Sequence, residues 1–223
     1  MLRDPKRLAL PPREQALAGL ASQLAEAPWT MDDRDHDRLH AAGLSDEEIV
    51  HAVTIVGMFS HFTRAADATA ITPDYTSPLP RMEVDAAREP LPRPDPEAWP
   101  KVAARLSIEL LPSIAGAFAR WREYVLTRTE SLSARDRAVL ARAAAHHLCD
   151  AAGVAEHADG APRSPREAAL AAFAEKLTVT PWRMQDADLL ALRRAGLEDR
   201  GLLQAIGVVG FQNQASRVRL ALG

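Results

Sequence analysis

Apolar side chains recur every three or four residues in several separate segments of the chain. The clearest series follows Ser45 and consists of Ile49, Val53 and Val56, continued by Phe59 or Phe62. This spacing places the apolar residues on one face of an α-helix. Because Ser45 is a typical N-cap and precedes three acidic residues, the pattern predicts a helix from there to about residue 70.

Two shorter helices are predicted before this one. The first opens at Pro12 with an apolar series and stops at Pro28, because proline does not continue a helix. The second starts from Thr30, with Asp33 three residues later, and ends at Gly43, since glycine commonly follows the last turn. The first seventy residues are therefore expected to form three helices.

Residues 71–100 interrupt the helical pattern. Eight of the sixteen prolines lie here, and proline lacks an N–H donor and fixes φ, which excludes a continuous helix or a central strand. We interpret the segment as a semi-rigid, extended connector. A helical pattern interrupted at Pro112 follows it, with apolar positions Val102, Leu106, Leu110, Leu111, Ile114, Phe118 and Trp121.

A shift of 153 residues brings the beginning and the end of the chain into register without a gap. The segment PWTMDDRD at 28–35 falls on PWRMQDAD at 181–188, and Arg64 falls on Arg217. One three-helix unit is therefore used twice. We call residues 12–70 the first arm and residues 165–223 the second arm. The predicted organisation is a truncated three-helix repeat over 1–70, a linker over 71–100 and a complete domain over 101–223.

Composition and charge narrow the class of protein. Aromatic residues make up only 5% of a chain rich in Ala and Leu, which favours an all-α fold over sheets. A net charge of −3 gives no electrostatic reason to expect nucleic acid or an anionic membrane as partner. No run of about 18 apolar residues and no apolar leader is present, so we expect a soluble, cytoplasmic protein.

The stretch from Ser133 to His157 precedes the second arm and carries the candidate chemistry. It contains the single cysteine, Cys149, and three of the seven histidines. Ser133 with Asp136 three residues later predicts the start of a helix, which is expected to continue through the whole stretch. With one cysteine, an internal disulfide is excluded.

Several short motifs follow one another along the chain in a characteristic order. The pair Leu111-Pro112 is followed by aromatic residues, LSARDR at 132–137 opens the central stretch, EHA at 156–158 closes it, and PWRMQDAD and LRRAGL follow at 181–188 and 192–197. This order resembles the alkylhydroperoxidase D and carboxymuconolactone decarboxylase superfamily, particularly its peroxidase-related branch. The resemblance covers residues 100–223 as a whole domain and residues 10–70 as its back half. It implies an alkylhydroperoxidase D-like helical bundle that forms oligomers.

The resemblance also implies a site that this sequence lacks. In that family the central helix carries a glutamate, a C-x-x-C dithiol and a histidine four residues after the second cysteine. With His157 as this histidine, the dithiol positions hold Asp150 and Gly153, and Cys149 lies one residue off. The glutamate position holds Ala138. Since dithiol peroxide reduction needs an attacking and a resolving thiol, we expect no such activity.

An alternative site follows from helix geometry. On one continuous helix, His146, Asp150, Gly153 and His157 fall within about 60° of one another, with Cys149 at the edge. Two imidazoles and a carboxylate could serve as acid, base and orienting group or bind a divalent metal, and Gly153 would leave room for a ligand. The same face could instead be solvated, because the core stripe Leu140, Ala144, Leu148 and Ala151 lies about 130° away.

Other residues have simpler interpretations. His36 and His40 are spaced to chelate a metal but lie on a strongly charged face that is expected to be exposed. His147 is expected to be a structural histidine, and Trp29 and Trp182 to pack in the core. Arg64 and Arg217 lie in apolar helices, where each is expected to pair with a carboxylate.

Two functions of different class are predicted. The first is a divergent, cofactor-free enzyme of the superfamily that uses acid–base chemistry at Asp150 and His157, with His146 and Cys149 nearby, on a small organic substrate. Within it, a one-cysteine peroxidase using Cys149 and an external thiol is a separate alternative. The second is a non-catalytic pseudoenzyme or assembly subunit. The apolar faces of the first arm predict docking around the central helix and a homo-oligomer, without nucleic-acid or membrane partners.

Overall fold

A computed structural model describes residues 9–71, 87–100, 105–128 and 130–223. These residues form nine α-helices and no β-strand, which confirms the all-α prediction. The helices are α1 (Pro12–Glu26), α2 (Asp33–Ala41), α3 (Asp46–Thr69), α4 (Pro112–Thr127), α5 (Ala134–His147), α6 (Ala151–Glu156), α7 (Pro165–Val179), α8 (Asp186–Arg194) and α9 (Asp199–Leu222).

The two arms form the same secondary structure. Helices α1, α2 and α3 have the lengths of α7, α8 and α9, and every boundary differs by the 153 residues found in the sequence. Short 3₁₀ turns at Pro28–Thr30 and Pro181–Arg183 obey the same offset. Gly43 and Gly196 end α2 and α8 at φ +84° and +86°, a backbone region that favours glycine. Equivalent helix start and stop signals therefore produce equivalent helices.

Most predicted helix starts are confirmed. Ser45 and Ser133 cap α3 and α5 in capping boxes with Glu48 and Asp136. The structure also shows Ser164 as the N-cap of α7, with Pro165 at the first helical position. The predicted start of α2 is wrong, because Asp32 rather than Thr30 is the N-cap. The Thr30 hydroxyl instead donates to the carbonyl of Ala27, within the preceding turn.

The structure describes only part of the predicted linker. Residues 72–86 and 101–104 lie outside the described residues, and with them Val102. Residues 88–95 form no helix, and a short 3₁₀ turn follows at Pro96–Ala98. Pro112 does not interrupt a helix but begins α4, where its missing N–H breaks no hydrogen bond.

Helices α3 and α9 form the centre of the molecule and pack extensively against each other. One cluster of buried apolar residues joins α5, α7 and α9, and a second joins α1, α3 and the end of α9. The first arm thus docks on its own chain, mainly on α9. The predicted arrangement, with the two arms flanking the central helix, is wrong in this respect, because α5 packs against α7, α9 and α4.

Contacts between the arms are reciprocal. Arg64 of α3 donates to the carbonyl of Thr178 at the end of α7, and Arg217 of α9 donates to the carbonyl of Ala25 at the end of α1. Residues 25 and 178 are equivalent under the 153-residue shift. Since each arm gives the other the contact that it receives, an approximate twofold axis relates the arms.

Candidate functional site

The central stretch does not form one helix. Helix α5 ends at His147 and α6 begins at Ala151, with Cys149 between them at φ +59°. Asp150 causes the break, because its carboxylate accepts the backbone N–H of Gly153 at 2.9 Å and caps α6. The predicted stripe on one helical face is therefore wrong. Ala151, placed in the core stripe, is exposed, whereas Leu140, Ala144 and Leu148 are buried as predicted.

Asp150 lies at the centre of a buried polar cluster. Its residue surface is 1% exposed. Besides the Gly153 N–H, its carboxylate accepts the hydroxyl of Ser216 at 2.7 Å and the guanidinium of Arg219 at 2.5 Å. These three donors satisfy the buried charge, and they join the start of α6 to α9.

Gly153 does not leave room for a ligand, contrary to the sequence prediction. A Cβ atom at this position would lie 2.4 Å from Oδ2 of Asp150 and 2.9 Å from Nη1 of Arg219. The space next to the glycine is already filled by this ion pair. Any larger residue here, including the cysteine found in the family that the sequence resembles, would displace it.

Asp150 and His157 are joined by a hydrogen-bond chain through α9. Nε2 of His157 lies 3.2 Å from Oε1 of Gln212, whose amide donates to Oγ of Ser216 at 3.0 Å. The Ser216 hydroxyl donates to Asp150. We call His157, Gln212, Ser216 and Asp150 the polar relay. Because an ionised carboxylate can only accept, donation runs one way along the relay and requires His157 to donate from Nε2.

This direction leaves Nδ1 of His157 as the proton acceptor of the neutral ring. The side chain is partly exposed. Burial lowers the pKa of His157, and the nearby carboxylate of Glu156 offsets only part of that effect. The imidazole is therefore neutral at pH 7 and has the form of a general base.

A cavity of about 330 Å³ adjoins the relay at Gln212. Its apolar walls come from the middle of α4, from the C-terminal half of α9 and from residues 106–108. Glu156 at its rim receives hydrogen bonds from Arg122 and Arg219. Burial raises the pKa of Glu156, but the hydrogen bond from Arg122 together with the charges of Arg122 and Arg219 outweighs burial, and the pKa is lowered. The cavity therefore has an apolar interior, and the charged residues at its edge form ion pairs with one another.

The other two predicted site residues lie apart from the relay. Cys149 is buried, and burial raises the pKa of its thiol to about 11. The ring of His146 packs edge-on against Trp99 and His147, and burial followed by the charge of Arg93 lowers its pKa. The structure brings Asp150 and His157 into one network and leaves Cys149 and His146 out of it.

His147 is a structural histidine, as predicted. Nδ1 accepts a hydrogen bond from Arg93, and Nε2 lies 3.5 Å from a carboxylate oxygen of Glu175. Burial, followed by the positive charge of Arg93, lowers the pKa of His147 to about 4. The folded chain therefore favours the neutral form of the His147 ring.

The weaker candidates separate in the structure. His36 is buried, not exposed, and its Nε2 donates to the carbonyl of Ala221 at 2.7 Å, whereas His40 contacts Leu44 and Asp46. The described part of the chain holds no group of three metal-ligating side chains. Within the part of the chain that the structure describes, Arg64 and Arg217 do not pair with carboxylates; both bind backbone carbonyls. Trp29 and Trp182 are half-buried rather than core residues.

Sequence reasoning missed the three α9 residues that complete the site, namely Gln212, Ser216 and Arg219. A usable signal was present in the repeat, because the second arm places polar groups where the first arm is less polar. The equivalent residues of the first arm are Phe59, Thr63 and Ala66. At two of these three positions an apolar residue of the first arm is replaced by a polar one in the second arm, and this difference between the copies is the signal.

Comparison with protein-family models, with curated proteins and with solved structures gave no match. Among the described residues, no helix combines the length and the apolar character needed to cross a bilayer.

Proposed function

We propose that the chain is a divergent enzyme resembling the alkylhydroperoxidase D and carboxymuconolactone decarboxylase superfamily, and that it acts on a small organic substrate by acid–base chemistry without a dithiol. The one-way polar relay carries this proposal. It fixes which nitrogen of His157 holds the proton, which is the requirement for a positioned base.

His157 is the proposed catalytic residue, with Nδ1 as proton acceptor. Asp150 is a positioning residue, because it acts on His157 only through Ser216 and Gln212. The adjoining cavity of about 330 Å³ is the proposed substrate site. Its size suits a small molecule, and Gln212 connects its wall to the relay.

The peroxidase alternatives have less support. Only one thiol exists in the chain, so a dithiol cycle has no resolving cysteine. A one-cysteine reaction needs a thiolate, yet Cys149 is buried and its pKa is raised to about 11. A reactive cysteine is typically exposed and has a lowered pKa.

Proton abstraction can be tested before the substrate is known. A panel of small ketones, lactones and keto acids is incubated with the protein in D₂O, and exchange of hydrogens next to the carbonyl is followed by NMR. We expect the wild-type protein to accelerate exchange of at least one compound roughly 10²-fold or more. His157→Asn should abolish this, whereas the surface variant His40→Asn should not. Absence of exchange across the panel, or full exchange by folded His157→Asn, would overturn the proposal.

A specific surface favours a second function, that of an assembly subunit. Phe59 and Phe62 on α3 are 58% and 54% exposed, whereas the equivalent residues of α9, Gln212 and Ala215, are 1% and 8% exposed. Helices α4 and α5 pack against α9. Ile55 and Met58 extend the apolar face, and a groove of about 580 Å³ separates it from α4. Exposed apolar faces of this kind usually mark interaction sites.

We propose on this basis that the chain forms at least a homodimer. Light scattering coupled to size-exclusion chromatography should give at least twice the mass of one chain at micromolar concentration. The double variant Phe59→Glu/Phe62→Glu should be a folded monomer, and Leu203→Glu, on an exposed part of α9, should behave as wild type. A monomeric wild-type protein refutes the oligomer. An oligomer without carbonyl exchange favours the assembly function over the enzyme.

A further inference from the structure

A second cavity, of about 230 Å³, lies between the two arms. Equivalent residues of both arms line it in pairs, with Trp29 and Trp182 from the turns and Arg64 and Arg217 from α3 and α9. Ala25 and Thr178, at the ends of α1 and α7, form a third pair. The cavity therefore lies on the approximate twofold axis, and it contains no residue of the polar relay.

The two paired arginines bring buried positive charge to this cavity. Their surfaces are 6% and 2% exposed, and their hydrogen bonds go to backbone carbonyls and to one side-chain amide oxygen. No carboxylate of the described residues contacts either guanidinium; Asp67 attracts Arg64 only from a distance. Each helix end supplies about half a negative charge, so two such ends offset about one of the two positive charges.

The remaining charged residues of the lining increase this excess. Arg88 and Arg93 bring the number of lining arginines to four, and Glu26 is the single carboxylate among the lining residues. Glu26 is already paired with Arg88 at 2.6 Å. Arg93 donates to His147, which is neutral when it accepts that bond. The cavity as a whole is cationic.

Two hydrogen-bond donors of the lining have no acceptor. Nε of Arg64 and Nε1 of Trp182 are buried and make no hydrogen bond. Buried polar groups are nearly always paired, so each of these donors lacks a partner that an acceptor could supply, and the excess positive charge favours an anionic acceptor. The neighbouring walls are apolar and come from Leu91, Leu148, Val179, Pro90 and Pro181.

We propose that this cavity binds a small organic monoanion through its carboxylate, with the carboxylate on Arg64 and Trp182 and the apolar body between the two arms. Arginine suits this role because its planar guanidinium matches a carboxylate. A cavity of 230 Å³ has room for about eight waters at about 30 Å³ each, which limits the ligand to a compact molecule. The ligand joins the arms and stabilises their association.

Benzoate is a suitable probe, with benzamide as its neutral isostere and inorganic phosphate as an anion without an apolar body. Binding is measured by calorimetry and by thermal unfolding at constant ionic strength. We expect benzoate to bind saturably and to raise the melting temperature, because it binds only the folded chain, and we expect benzamide and phosphate to have no such effect. Equal effects of benzoate and benzamide, or binding of phosphate alone, would overturn the carboxylate assignment.

Variants locate the site. Arg64→Met should weaken benzoate binding by about tenfold or more without unfolding the chain, since a buried charge replaced by an apolar side chain of similar volume is often tolerated. Trp182→Phe keeps an aromatic ring but removes the N–H donor and the pyrrole part of the indole, and should weaken binding by a smaller factor. Arg194→Met removes an exposed arginine of α8 and should bind as wild type. If Arg64→Met and Trp182→Phe both bind benzoate like the wild-type chain, the site is not this cavity.

Discussion

Asp150 links the local path of the backbone to a contact more than sixty residues away. Its carboxylate caps α6 and also accepts Ser216 and Arg219 of α9. The cap requires the chain to leave α5, which places Cys149 in the left-handed region. One side chain therefore sets the end of one helix, the start of the next and their distance from α9.

The first prediction concerns this carboxylate. Asp150→Asn removes the charge that pairs with Arg219 and weakens two further hydrogen bonds, so we expect a loss of about 2–4 kcal/mol in the free energy of unfolding. Urea denaturation measures it. Asp186→Asn, at an exposed position in the first turn of α8, should lose less than about 1 kcal/mol. A similar small loss for Asp150→Asn would contradict the anchoring role.

The second prediction concerns the pH dependence of stability. Because the pKa of His147 is lowered from 6.5 to about 4 in the folded chain, the unfolded chain binds the proton more tightly. The stability is fully present above pH 6.5 and falls as the pH decreases toward 4, by on the order of 2–3 kcal/mol.

The change His147→Gln should flatten this part of the pH profile. Comparison of the two chains at pH 8, where the ring is neutral in both states, separates the effect of packing from that of titration. A wild-type profile that is flat from pH 7 to pH 4.5, or one that His147→Gln leaves unchanged, would contradict the assigned cause.

At the scale of helices, the crossing of α3 and α9 shows how the repeat has diverged. Each helix has a glycine at the crossing, and a side chain of the opposite helix packs against it. His61 lies on Gly210, and Gln214 lies on Gly57. The two contacts are equivalent in position, but the rigid imidazole of His61 makes one and the flexible side chain of Gln214 makes the other.

This difference gives the third prediction. A Cβ at residue 210 would lie 2.5 Å from Nδ1 of His61, whereas at residue 57 the nearest atoms are side-chain carbons at 3.2 and 3.3 Å. We expect Gly210→Ala to lose about 1–3 kcal/mol of unfolding free energy through overpacking. Gly57→Ala should be nearly neutral in unfolding free energy. The higher helix propensity of alanine, about 0.5–1 kcal/mol, offsets the small cost of moving a flexible side chain. Restored stability in Gly210→Ala/His61→Ala would identify the ring as the cause, and equal losses in both single variants would contradict it.

Local signals explain what could be predicted from the sequence. Capping at Ser45 and Ser133 and the helix end at Gly43 depend on neighbouring residues, and these predictions are confirmed. The break at Asp150 could not be predicted in this way, because the apolar spacing continues through it. Two of the bonds that stabilise the break come from α9, and no local pattern contains them.

The site illustrates the same limit. A straight helix placed His146 with Asp150 and His157, but the break moves His146 to the side of Trp99. The prediction that Arg64 and Arg217 pair with carboxylates is not met among the described residues. Carbonyls at helix C-termini, which carry partial negative charge, are the acceptors instead. Sequence spacing identified which residues are chemically notable, while their partners depended on how the arms meet.

At the scale of the whole molecule, the two arms share one helix-to-helix interface. Val218, Ala221 and Leu222 of α9 belong to the apolar cluster of the first arm, and Arg217 donates to the carbonyls of Leu24 and Ala25. Removing the first arm would expose these apolar side chains and leave a buried guanidinium without two of its acceptors. The second arm is therefore not an independent unit, although it carries Gln212, Ser216 and Arg219 of the site.

The last prediction separates the arm itself from its covalent connection. A chain shortened to residues 87–223 should unfold without a cooperative transition and bind a hydrophobic dye, because α9 then exposes one of its two buried faces. The control is the full chain cut at a protease site inserted between residues 72 and 86. Its two pieces should elute together and melt cooperatively, since the packing of α3 on α9 is intact. If the shortened chain instead unfolds cooperatively at the melting temperature of the intact protein, the first arm contributes nothing to the core and the twofold interface is not what stabilises the fold.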